Sequence, residues 1–304
     1  MAKILNIGSI NIDHVYSVPH FVKAGETLAS NTMQLFPGGK GLNQSVALAL
    51  AGADVSHAGM IGNDGFQMVE LLKSKGVDTT LIKETETITG HAIIQVTPDG
   101  QNCILLYPGA NNKLDEEFID IALNSVGKGD ILVLQNEVSC IPYAMTKAYE
   151  RGIDIVFNPS PMSPAVFDYP LHFVKWFVIN EIEGQALTQK SEPQDILNEM
   201  AKKYHESTIV LTVGEDGVLC RDKGETYTHG KYTVPIVDTT AAGDTFTGYF
   251  ISSIAAGSAI GEALKLASMA AALSVSKQGA AVSIPTIKEV RNAFHPNNEQ
   301  ITNK

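Results

Sequence analysis

The sequence predicts a three-layer α/β/α protein, in which a mainly parallel central sheet lies between two layers of helices, with a small additional β-sheet. Short apolar segments rich in β-branched residues alternate along the chain with segments of helical periodicity. This alternation is typical of parallel sheets whose connections are helices. Two further strand-like stretches have no helical pattern beside them, and they predict the smaller sheet.

The strands of the central sheet are predicted from segments that are almost continuously apolar, as expected for strands covered on both faces. They are KILNIG (3–8), DILVLQ (130–135), IDIVFN (153–158), WFVIN (176–180) and TIVLTV (208–213). Helices are predicted where apolar residues recur at spacings of three and four, over 64–75, 115–126, 142–151 and 193–203. Two more helical patterns follow the glycine-containing segments FPGGKG (36–41) and DTTAAGD (238–244), and Gly257 lies near the end of the second.

Residues 14–35 and 89–108 form the predicted small sheet. Within them, HAIIQVTPDGQNCILLY (91–107) indicates two strands joined by a Pro-Asp-Gly turn. We expect an antiparallel sheet that projects from a main domain made of 1–13, 36–88 and 109–304. It acts either as a lid that covers a substrate and excludes water, or as an ordinary edge hairpin.

Composition limits the possible partners. The 304 residues carry a formal net charge of −11, which argues against a basic nucleic-acid-binding surface. No apolar run is long enough for a signal peptide or a membrane span. The three cysteines are far apart and form no CxxC pair, as in reduced proteins. We therefore expect a cytoplasmic protein that binds neither nucleic acid nor membrane, with a polar end, 295–304, that frays.

The glycine-rich segment 36–52 suits close approach of a ligand to the backbone at the start of a helix. It is not a P-loop, because Gly41 rather than Ser or Thr follows Lys40. It is not a dinucleotide fingerprint either, because Gln44 occupies the position of the last glycine. Lys40 either lies near a bound sugar or phosphate or is a solvated loop lysine.

The segment DTTAAGDTF (238–246) places Ala241, Ala242 and Gly243 at a helix N-terminus. Their amides are free to bind an anion, and the helix dipole favours negative charge there. Asp244, in the first turn, reaches whatever reacts beside that anion. An acid in the first turn also stabilises the helix dipole in a purely structural role, and the segment alone favours neither interpretation.

Four segments in order, GSINIDH (8–14), PGGKGLNQSVA (37–47), NEIE (180–183) and DTTAAGD (238–244), together resemble the signatures of the ribokinase-like, PfkB-type carbohydrate kinases. The resemblance covers nearly the whole chain and ends near GAAVSIP (279–285). It implies an ATP-dependent kinase that transfers the γ-phosphate to a primary hydroxyl of a small sugar. Ribose, phosphorylated at O5, is the expected acceptor.

The resemblance also implies a role for each matching residue. The amides of Ala241, Ala242, Gly243 and Asp244 form an anion hole for the transferred phosphoryl group, and Asp244 is the general base. The sugar is bound by Asn11, Asp13, Gly39, Lys40, Asn43, Glu137 and Asp244. ATP is contacted by Asn180, Thr212, Gly214 and Gly243, and residues near 268–272 complete the adenine site. Without the resemblance, Asn11 and Asp13 indicate a polar turn, and Glu137 a surface acid at a strand end.

Two metal ions are implied in the same way. Asn180 and Glu183 organise Mg²⁺, often through water, although the same pair suits a helix N-cap with an acid at its third position. A K⁺ ion beside the anion hole is bound by carbonyls and side chains of Asp238, Thr240, Ser274, Lys277, Gly279 and Ser283.

The sequence departs from typical ribokinase-like proteins near the acceptor pocket, at QNE (135–137), NPSPM (158–162), YPGAN (107–111) and Leu42. These departures leave fructose, a keto-deoxy sugar acid, a sugar phosphate or a nucleoside open as the acceptor. A nucleoside needs a flat slot, for which Tyr16, Phe21, Phe36 and Tyr107 are candidates. A non-catalytic sugar-binding protein on this scaffold stays open as well, whereas a nicotinamide dehydrogenase is disfavoured because its fingerprint is absent. Family resemblance and the exposed lid edges predict a homodimer through the lid.

Overall fold

The computed structural model describes residues 2–294 and the backbone of 302–303. The strands are β1 (Ile4–Ile7), β2 (Asn11–Ser17), β3 (Thr32–Gly38), β4 (Val55–Ile61), β5 (Asp78–Glu84), β6 (Gly90–Val96), β7 (Asn102–Tyr107), β8 (Ile131–Gln135), β9 (Asp154–Asn158), β10 (Val174–Asn180), β11 (Thr208–Thr212), β12 (Val218–Asp222), β13 (Glu225–His229), β14 (Tyr232–Thr233) and β15 (Thr302–Asn303). The prediction for segment 295–304 falls almost entirely outside the described residues.

The helices are α1 (Lys40–Leu50), α2 (Phe66–Ser74), α3 (Glu116–Leu123), α4 (Ile141–Glu150), α5 (Glu181–Thr188), α6 (Pro193–Lys203), α7 (Ala242–Ala255), α8 (Ile260–Val275) and α9 (Ile287–Ala293). Each predicted helix is present, with bounds that differ by up to three residues. In the part of the chain that the structure describes, no helix is both long and apolar enough to cross a membrane.

Nine strands form the central sheet, in the order β13-β12-β11-β10-β9-β8-β1-β4-β5. The strands from β11 to β5 pair in parallel, and β12 and β13 add an antiparallel edge. Successive residues of β1 point to opposite faces, so Ile4 packs in one hydrophobic core and Leu5 in the other. The predicted three-layer fold is therefore confirmed.

The second sheet contains four strands in the order β3-β2-β6-β7. The outer pairs are antiparallel, but the central strands β2 and β6 pair in parallel, with Asp13 opposite Ala92. The predicted antiparallel pairing is present in the two outer pairs, whereas the central pair is parallel, because the two segments enter the sheet in the same direction. The small sheet itself, separate from the central one, was predicted correctly.

Candidate active site

The candidate site lies at the carboxyl edge of the central sheet, where β1 and β8 are neighbours. From β1 the sheet continues through β4 and β5 on one side and through β8 towards β13 on the other. The strand order therefore reverses here, and ligands of open α/β sheets bind in the crevice at such a position. The chain segments that leave β1 and β8 bring Asn11 and Glu137 to this crevice.

Helix α1 begins beside the crevice at a position that requires glycine. Gly39 has φ of +91°, and a Cβ there would lie 2.9 Å from the carbonyl oxygen of Ser9. The carboxylate of Glu137 accepts a hydrogen bond from the backbone N–H of Lys40 at 2.9 Å and another from the hydroxyl of Ser9. The first turn of α1 is thereby fixed to the end of β8.

Helix α7 begins on the opposite side, after Ala241, which has φ of +61°. Asp244 in its first turn is buried, with 6% of its surface exposed. Its Oδ2 accepts a hydrogen bond from Asn43 Nδ2 at 3.0 Å, and its Oδ1 accepts one from Gln44 Nε2 at 2.9 Å. One carboxylate therefore joins the N-termini of α1 and α7.

The amides at the start of α7 are partly available to a ligand. The N–H of Ala242 donates to the carbonyl of Thr239 at 3.3 Å. Within residues 2–294, the backbone N–H groups of Ala241, Gly243 and Asp244 have no hydrogen-bond acceptor. A Cβ on Gly243 would have no other atom within 4 Å, so this end of the helix is open.

The ammonium group of Lys40 lies among carboxylates. Burial works against its charge, but the carboxylates of Asp244, Glu137 and Glu183 outweigh that effect and raise the pKa of Lys40. Burial raises the pKa values of Glu137 and Glu183, and the charge of Lys40 opposes the rise. Lys40 is therefore half-buried beside the acids and is not a freely solvated loop lysine.

Strand β2 carries the next two candidates, Asn11 and Asp13. A Cβ on Gly38 would lie 2.2 Å from the Asp13 carboxylate, so glycine makes room for this acid. Burial, together with the charge of Glu137, raises the pKa of Asp13 to about 7. Asn11 Oδ1 accepts a hydrogen bond from Asn111 Nδ2 at 2.7 Å, which leaves the amide hydrogens of Asn11 as donors.

A cavity of about 550 Å³ lies on the other side of the α7 N-terminus. Thr212, Gly214 and Gly243 line it, so three of the four residues predicted to contact the nucleotide share one cavity. The α8 residues Ser268, Ala271 and Ala272 also line it, which agrees with the region predicted for adenine. The remaining lining is largely apolar, as an aromatic base requires: Val218, Tyr232, Val234, Ile236, Phe246 and Val275.

Asn180 and Glu183 form a capping box at the start of α5. Asn180 Oδ1 accepts a hydrogen bond from the N–H of Glu183 at 2.9 Å, and Glu183 Oε2 accepts one from the N–H of Asn180 at 3.0 Å. Asn158 Nδ2 approaches the same carboxylate at 3.4 Å. Asn180 is exposed and does not line the nucleotide cavity, whereas Glu183 is buried near Lys40.

The residues predicted to bind K⁺ lie in the loop before α7, in the last turn of α8 (Ser274) and in the loop after α8. Asp238 joins the two loops: its Oδ1 accepts from the N–H of Thr240 at 2.9 Å, and its Oδ2 accepts from the N–H of Gly279 at 2.9 Å. Ser274 and Ser283 hydroxyls donate to nearby carbonyls, and the ammonium of Lys277 pairs with Glu289 at 3.1 Å. The predicted ligands are thus neighbours, although the side chain of Lys277 points to another partner.

Sequence reasoning did not assign roles to four polar residues of the site: Ser9, Gln44, Asn111 and Asn158. Gln44 was considered only as a mismatch to the dinucleotide fingerprint, and Asn111 and Asn158 only as parts of departing motifs. Position was a signal for two of them, because Ser9 follows β1 and Asn158 ends β9 at the carboxyl edge of the sheet. Gln44 lies in the second turn of α1 and Asn111 follows β7 of the small sheet, so position gave no comparable signal for them.

Comparison with known proteins identifies the family of the chain. The model of the pfkB family carbohydrate kinases matches residues 1–287. The ribokinase of Haemophilus influenzae is 37% identical over 300 residues, which cover 95% of this chain and 97% of that protein.

Two solved structures are also similar. The ribokinase of Cryptococcus neoformans in complex with ADP has a TM-score of 0.86 at 32% identity, covering 97% of this chain and all of that one (100%). The Arabidopsis thaliana ribokinase complexed with ribose and ATP has a TM-score of 0.84 at 28% identity, covering 96% of this chain and 98% of that one. Because the family model matches residues 1–287 and a relative that covers nearly the whole chain is 37% identical, the chain belongs to the pfkB family of carbohydrate kinases.

Proposed function

We propose that this protein is an ATP-dependent ribose kinase, which transfers the γ-phosphate of ATP to O5 of ribose. The observation that carries the proposal is the position of Asp244. This buried carboxylate lies between the polar crevice at the end of β1 and the cavity lined by Thr212, Gly214 and Gly243. The names of relatives that cover nearly the whole chain, and the ribose and ATP bound to one of them, support ribose as the acceptor.

Asp244 acts as the general base in this proposal. Its carboxylate is oriented from two sides by Asn43 and Gln44, so its free lone pairs face the crevice. It accepts the proton of the sugar hydroxyl as that hydroxyl attacks phosphorus. Phosphoryl transfer depends mainly on such positioning and on stabilisation of charge, with little covalent chemistry by the protein.

The anion hole is formed by the backbone N–H groups of Ala241, Gly243 and Asp244, with a weaker contribution from Ala242. These donors lack other acceptors within the described residues, and they lie at the positive end of α7. Fixed donors that meet charge as it develops on the transferred group lower the barrier of the reaction.

Ribose binds in the crevice between the two sheets. Asn11, Asp13, Gly39, Lys40, Asn43 and Glu137 contact its hydroxyls. Asn43 Oδ1 is buried without a hydrogen-bond partner among the described residues, and a sugar hydroxyl supplies the missing donor. The Asp13 carboxylate is likewise available to accept a hydrogen bond from a sugar hydroxyl, because it accepts none within residues 2–294.

Nucleoside acceptors are less well supported. Tyr107 packs against His91 at 5.1 Å, and His91 against His14 at 5.7 Å, so these rings share one face of the small sheet. By strand alternation Tyr16 lies on that face too, opposite to Asp13. Two of the four aromatic residues considered for a nucleoside slot therefore point away from the crevice.

Mg²⁺ fits next to Glu183 through water. Both oxygens of Glu183 already accept hydrogen bonds from Asn180, and no cluster of three or more acidic, His or Cys side chains in the described residues could enclose a metal. Mg²⁺ keeps much of its hydration shell and binds through one or two carboxylates and substrate phosphates. When bound with ATP, the ion neutralises phosphate charge, and Asn180 and Glu183 hold its water.

K⁺ fits between the loops joined by Asp238. Within the described chain, the carbonyl oxygens of Asp238, Thr240, Lys277 and Gly279 accept no hydrogen bond, and such oxygens are suitable ligands for a monovalent cation. A bound K⁺ stiffens the loop that carries the anion hole.

The two separate sheets support a division into a main domain and a lid, and we propose that the small sheet closes over ribose. It exposes apolar side chains on both faces, among them Leu106 on one and Leu35 and Leu105 on the other. Closure over the crevice covers one face only, so the other face supports a homodimer formed through the lid. The three free cysteines support a reducing, cytoplasmic location.

A coupled ADP-release assay tests the proposed function. The protein is incubated with Mg-ATP and one acceptor at a time. The acceptors are ribose, deoxyribose, fructose, a keto-deoxy sugar acid, a sugar phosphate and a nucleoside. We expect the highest kcat/KM with ribose. Turnover of another acceptor with higher efficiency would reassign the substrate, and binding of ribose without ADP release, in wild type and Asp244→Asn alike, would indicate a non-catalytic sugar-binding protein.

A further inference from the structure

A chain of buried amide side chains runs from Asp244 back into the sheet. Gln44 donates to Asp244 at 2.9 Å and accepts at its own Oε1 from Gln135 Nε2 at 2.7 Å. Gln135 Nε2 also donates to Asn6 Oδ1 at 3.0 Å. Gln44, Gln135 and Asn6 are all fully buried, so no solvent substitutes for these bonds.

The direction of each amide is dictated by partners that can only accept. The Gln44 NH₂ group faces the carboxylate of Asp244, and the Asn6 NH₂ group faces the backbone carbonyl of Gly41 at 2.8 Å. The oxygens of Gln44 and Asn6 therefore both point at Gln135. Only an NH₂ group satisfies two oxygens at once, so Gln135 uses both of its hydrogens on them.

Gln135 is held in this orientation by the bonds from its NH₂ group alone, to Asn6 and Gln44. Its Oε1 has no hydrogen-bond partner in the described residues, and a Cβ on Gly8 would lie only 2.5 Å from it. Burial of an unpaired oxygen costs free energy, so the arrangement is retained in spite of a local penalty.

We propose that Gln135 is a positioning residue, which fixes the orientation of the Gln44 amide and thereby keeps an N–H donor on the base Asp244. Without the donor from Gln135, the Gln44 oxygen is buried and unpaired, and only the NH₂ bonds to Asp244 at 2.9 Å and to Asn158 at 3.2 Å oppose a rotation that turns this oxygen towards the Asp244 carboxylate. Two acceptors in contact repel, and Asp244 then moves from the position in which it meets the sugar hydroxyl. Gln135 itself contacts neither Asp244 nor the nucleotide cavity.

The proposal rests on the proposed kinase function and is tested with Gln135→Met, which keeps the side-chain length but removes both donors. We expect kcat for ribose to fall on the order of tenfold, with the KM values of ribose and Mg-ATP changed less than about twofold, because only the base is displaced. Val133→Ala is the matched control: Val133 is buried on the same strand and face, and its truncation lowers stability without touching the amides. An unchanged kcat in Gln135→Met would overturn the proposal.

A double variant tests whether Gln135 acts through Gln44. If it does, Gln135→Met has no further effect on kcat once Gln44→Met is present, because the two changes break the same chain. Equal losses in both backgrounds would contradict the proposal.

A readout independent of turnover separates this proposal from the proposed function. In ¹⁵N NMR of the whole protein, the side-chain amide hydrogens of Gln44 should be protected from exchange in wild type and exchange at least about tenfold faster in Gln135→Met. Absence of ADP release by wild type with every acceptor rejects the kinase function, whereas equal exchange in both proteins rejects the role of Gln135.

Discussion

At the level of single residues, the site places several acids around one ammonium group. Asp244, Glu137 and Glu183 all act on Lys40, and Glu137 also acts on Asp13. Each acid has a separate neighbour that limits its freedom: Asn43 and Gln44 for Asp244, Ser9 for Glu137 and Asn180 for Glu183. Asp13 lacks such a partner, which explains why burial and the charge of Glu137 dominate its protonation.

The raised pKa of Asp13 predicts a pH-dependent stability. Because its pKa is about 7 in the folded protein and 3.8 otherwise, the folded state binds the proton more tightly between these values. The contribution of Asp13 to the free energy of unfolding therefore falls as pH rises from about 4 to about 7.

We expect Asp13→Asn to remove this dependence. The free energy of unfolding of the variant, minus that of wild type, should be larger at pH 8 than at pH 5 by on the order of 2 kcal/mol. Urea unfolding of both proteins at the two pH values measures the difference. A difference between the proteins that does not vary with pH would contradict the assignment.

Gly243 offers a second test at a single position. A Cβ there contacts nothing in the protein but projects into the open end of α7 that lines the nucleotide cavity. We expect Gly243→Ala to keep or slightly raise its Tm while kcat/KM for Mg-ATP falls about 10²-fold, because the added methyl group keeps a phosphate away from the amides of the α7 N-terminus. Steady-state kinetics and calorimetry measure the two effects.

The chain contains a matched control for Gly243→Ala. Gly261 is the second residue of α8, as Gly243 is of α7, and a Cβ there also has no atom within 4 Å. Gly261→Ala should leave the kinetics unchanged and keep or slightly raise the Tm. If the two variants behave alike, Gly243 has no special role in binding the nucleotide.

At the level of helices and loops, the site depends on two helix N-termini that meet at one carboxylate. Helix α1 starts after Gly39 and α7 after Ala241, and both of these preceding residues have positive φ. The loop before α7 is held in turn by Asp238, which binds the N–H groups of Thr240 and Gly279. The position of the anion hole is therefore coupled to the loop after α8.

This coupling predicts activation by K⁺. Replacing K⁺ with tetramethylammonium, which is too large for a site between the two loops, should lower the rate of ADP release with ribose. Asp238→Ala removes the acceptor that joins the loops. Its rate of ADP release should therefore be the same in the two salts. Equal rates of wild type in K⁺ and in tetramethylammonium at the same ionic strength would exclude a functional cation site here.

For the protein as a whole, the sheet order determines where the site forms. The neighbouring strands β1 and β8 lie at the reversal of strand order, and the segments that leave them carry Asn11 and Glu137. The small sheet is formed by segments that leave β1 and precede the loop at Asn111. It thus lies next to the crevice. One face carries Asp13 and borders the crevice, and the opposite face is the outer face.

The outer face of the small sheet predicts the oligomeric state. Leu105 is 67% exposed there, beside Leu35 and Ile93. We expect wild type to sediment as a dimer of the 32.6 kDa chain and Leu105→Lys to shift to monomer, because a charge cannot be buried in the interface. Ile121→Lys, on the exposed surface of α3, is the control and should remain dimeric. A monomeric wild type at micromolar concentration contradicts dimerisation through the lid.

The parts of the fold that sequence predicts best are those with one dominant signal. Strands such as Leu132–Leu134 are apolar on both faces, so continuous hydrophobicity identifies them. Strands β4 and β12 were not predicted, because His57 and Gly59 in one and Arg221 and Asp222 in the other interrupt the apolar pattern. The parallel pairing of β2 with β6 joins segments nearly eighty residues apart, and no local pattern encodes such a pairing.

The candidate site was predicted through family motifs more than through local chemistry. Motif residues such as Asp244 and Asn43 lie within hydrogen-bond distance, as a shared site requires. Gln135 was noted only as part of the departing segment QNE, and Asn6 belongs to no motif; buried amides look the same in sequence as surface polar residues. Their role depends on which atoms face each other, and only three-dimensional structure reveals that.

The most direct test of the whole account is the rate of ADP release by Asp244→Asn with ribose and Mg-ATP. If Asp244 is the base at the amide end of α7, kcat should fall by about 10²–10⁴-fold, while calorimetry still detects ADP binding in the cavity lined by Thr212 and Gly214. A variant that retains ADP, keeps its fold and turns over ribose within threefold of wild type would contradict the account.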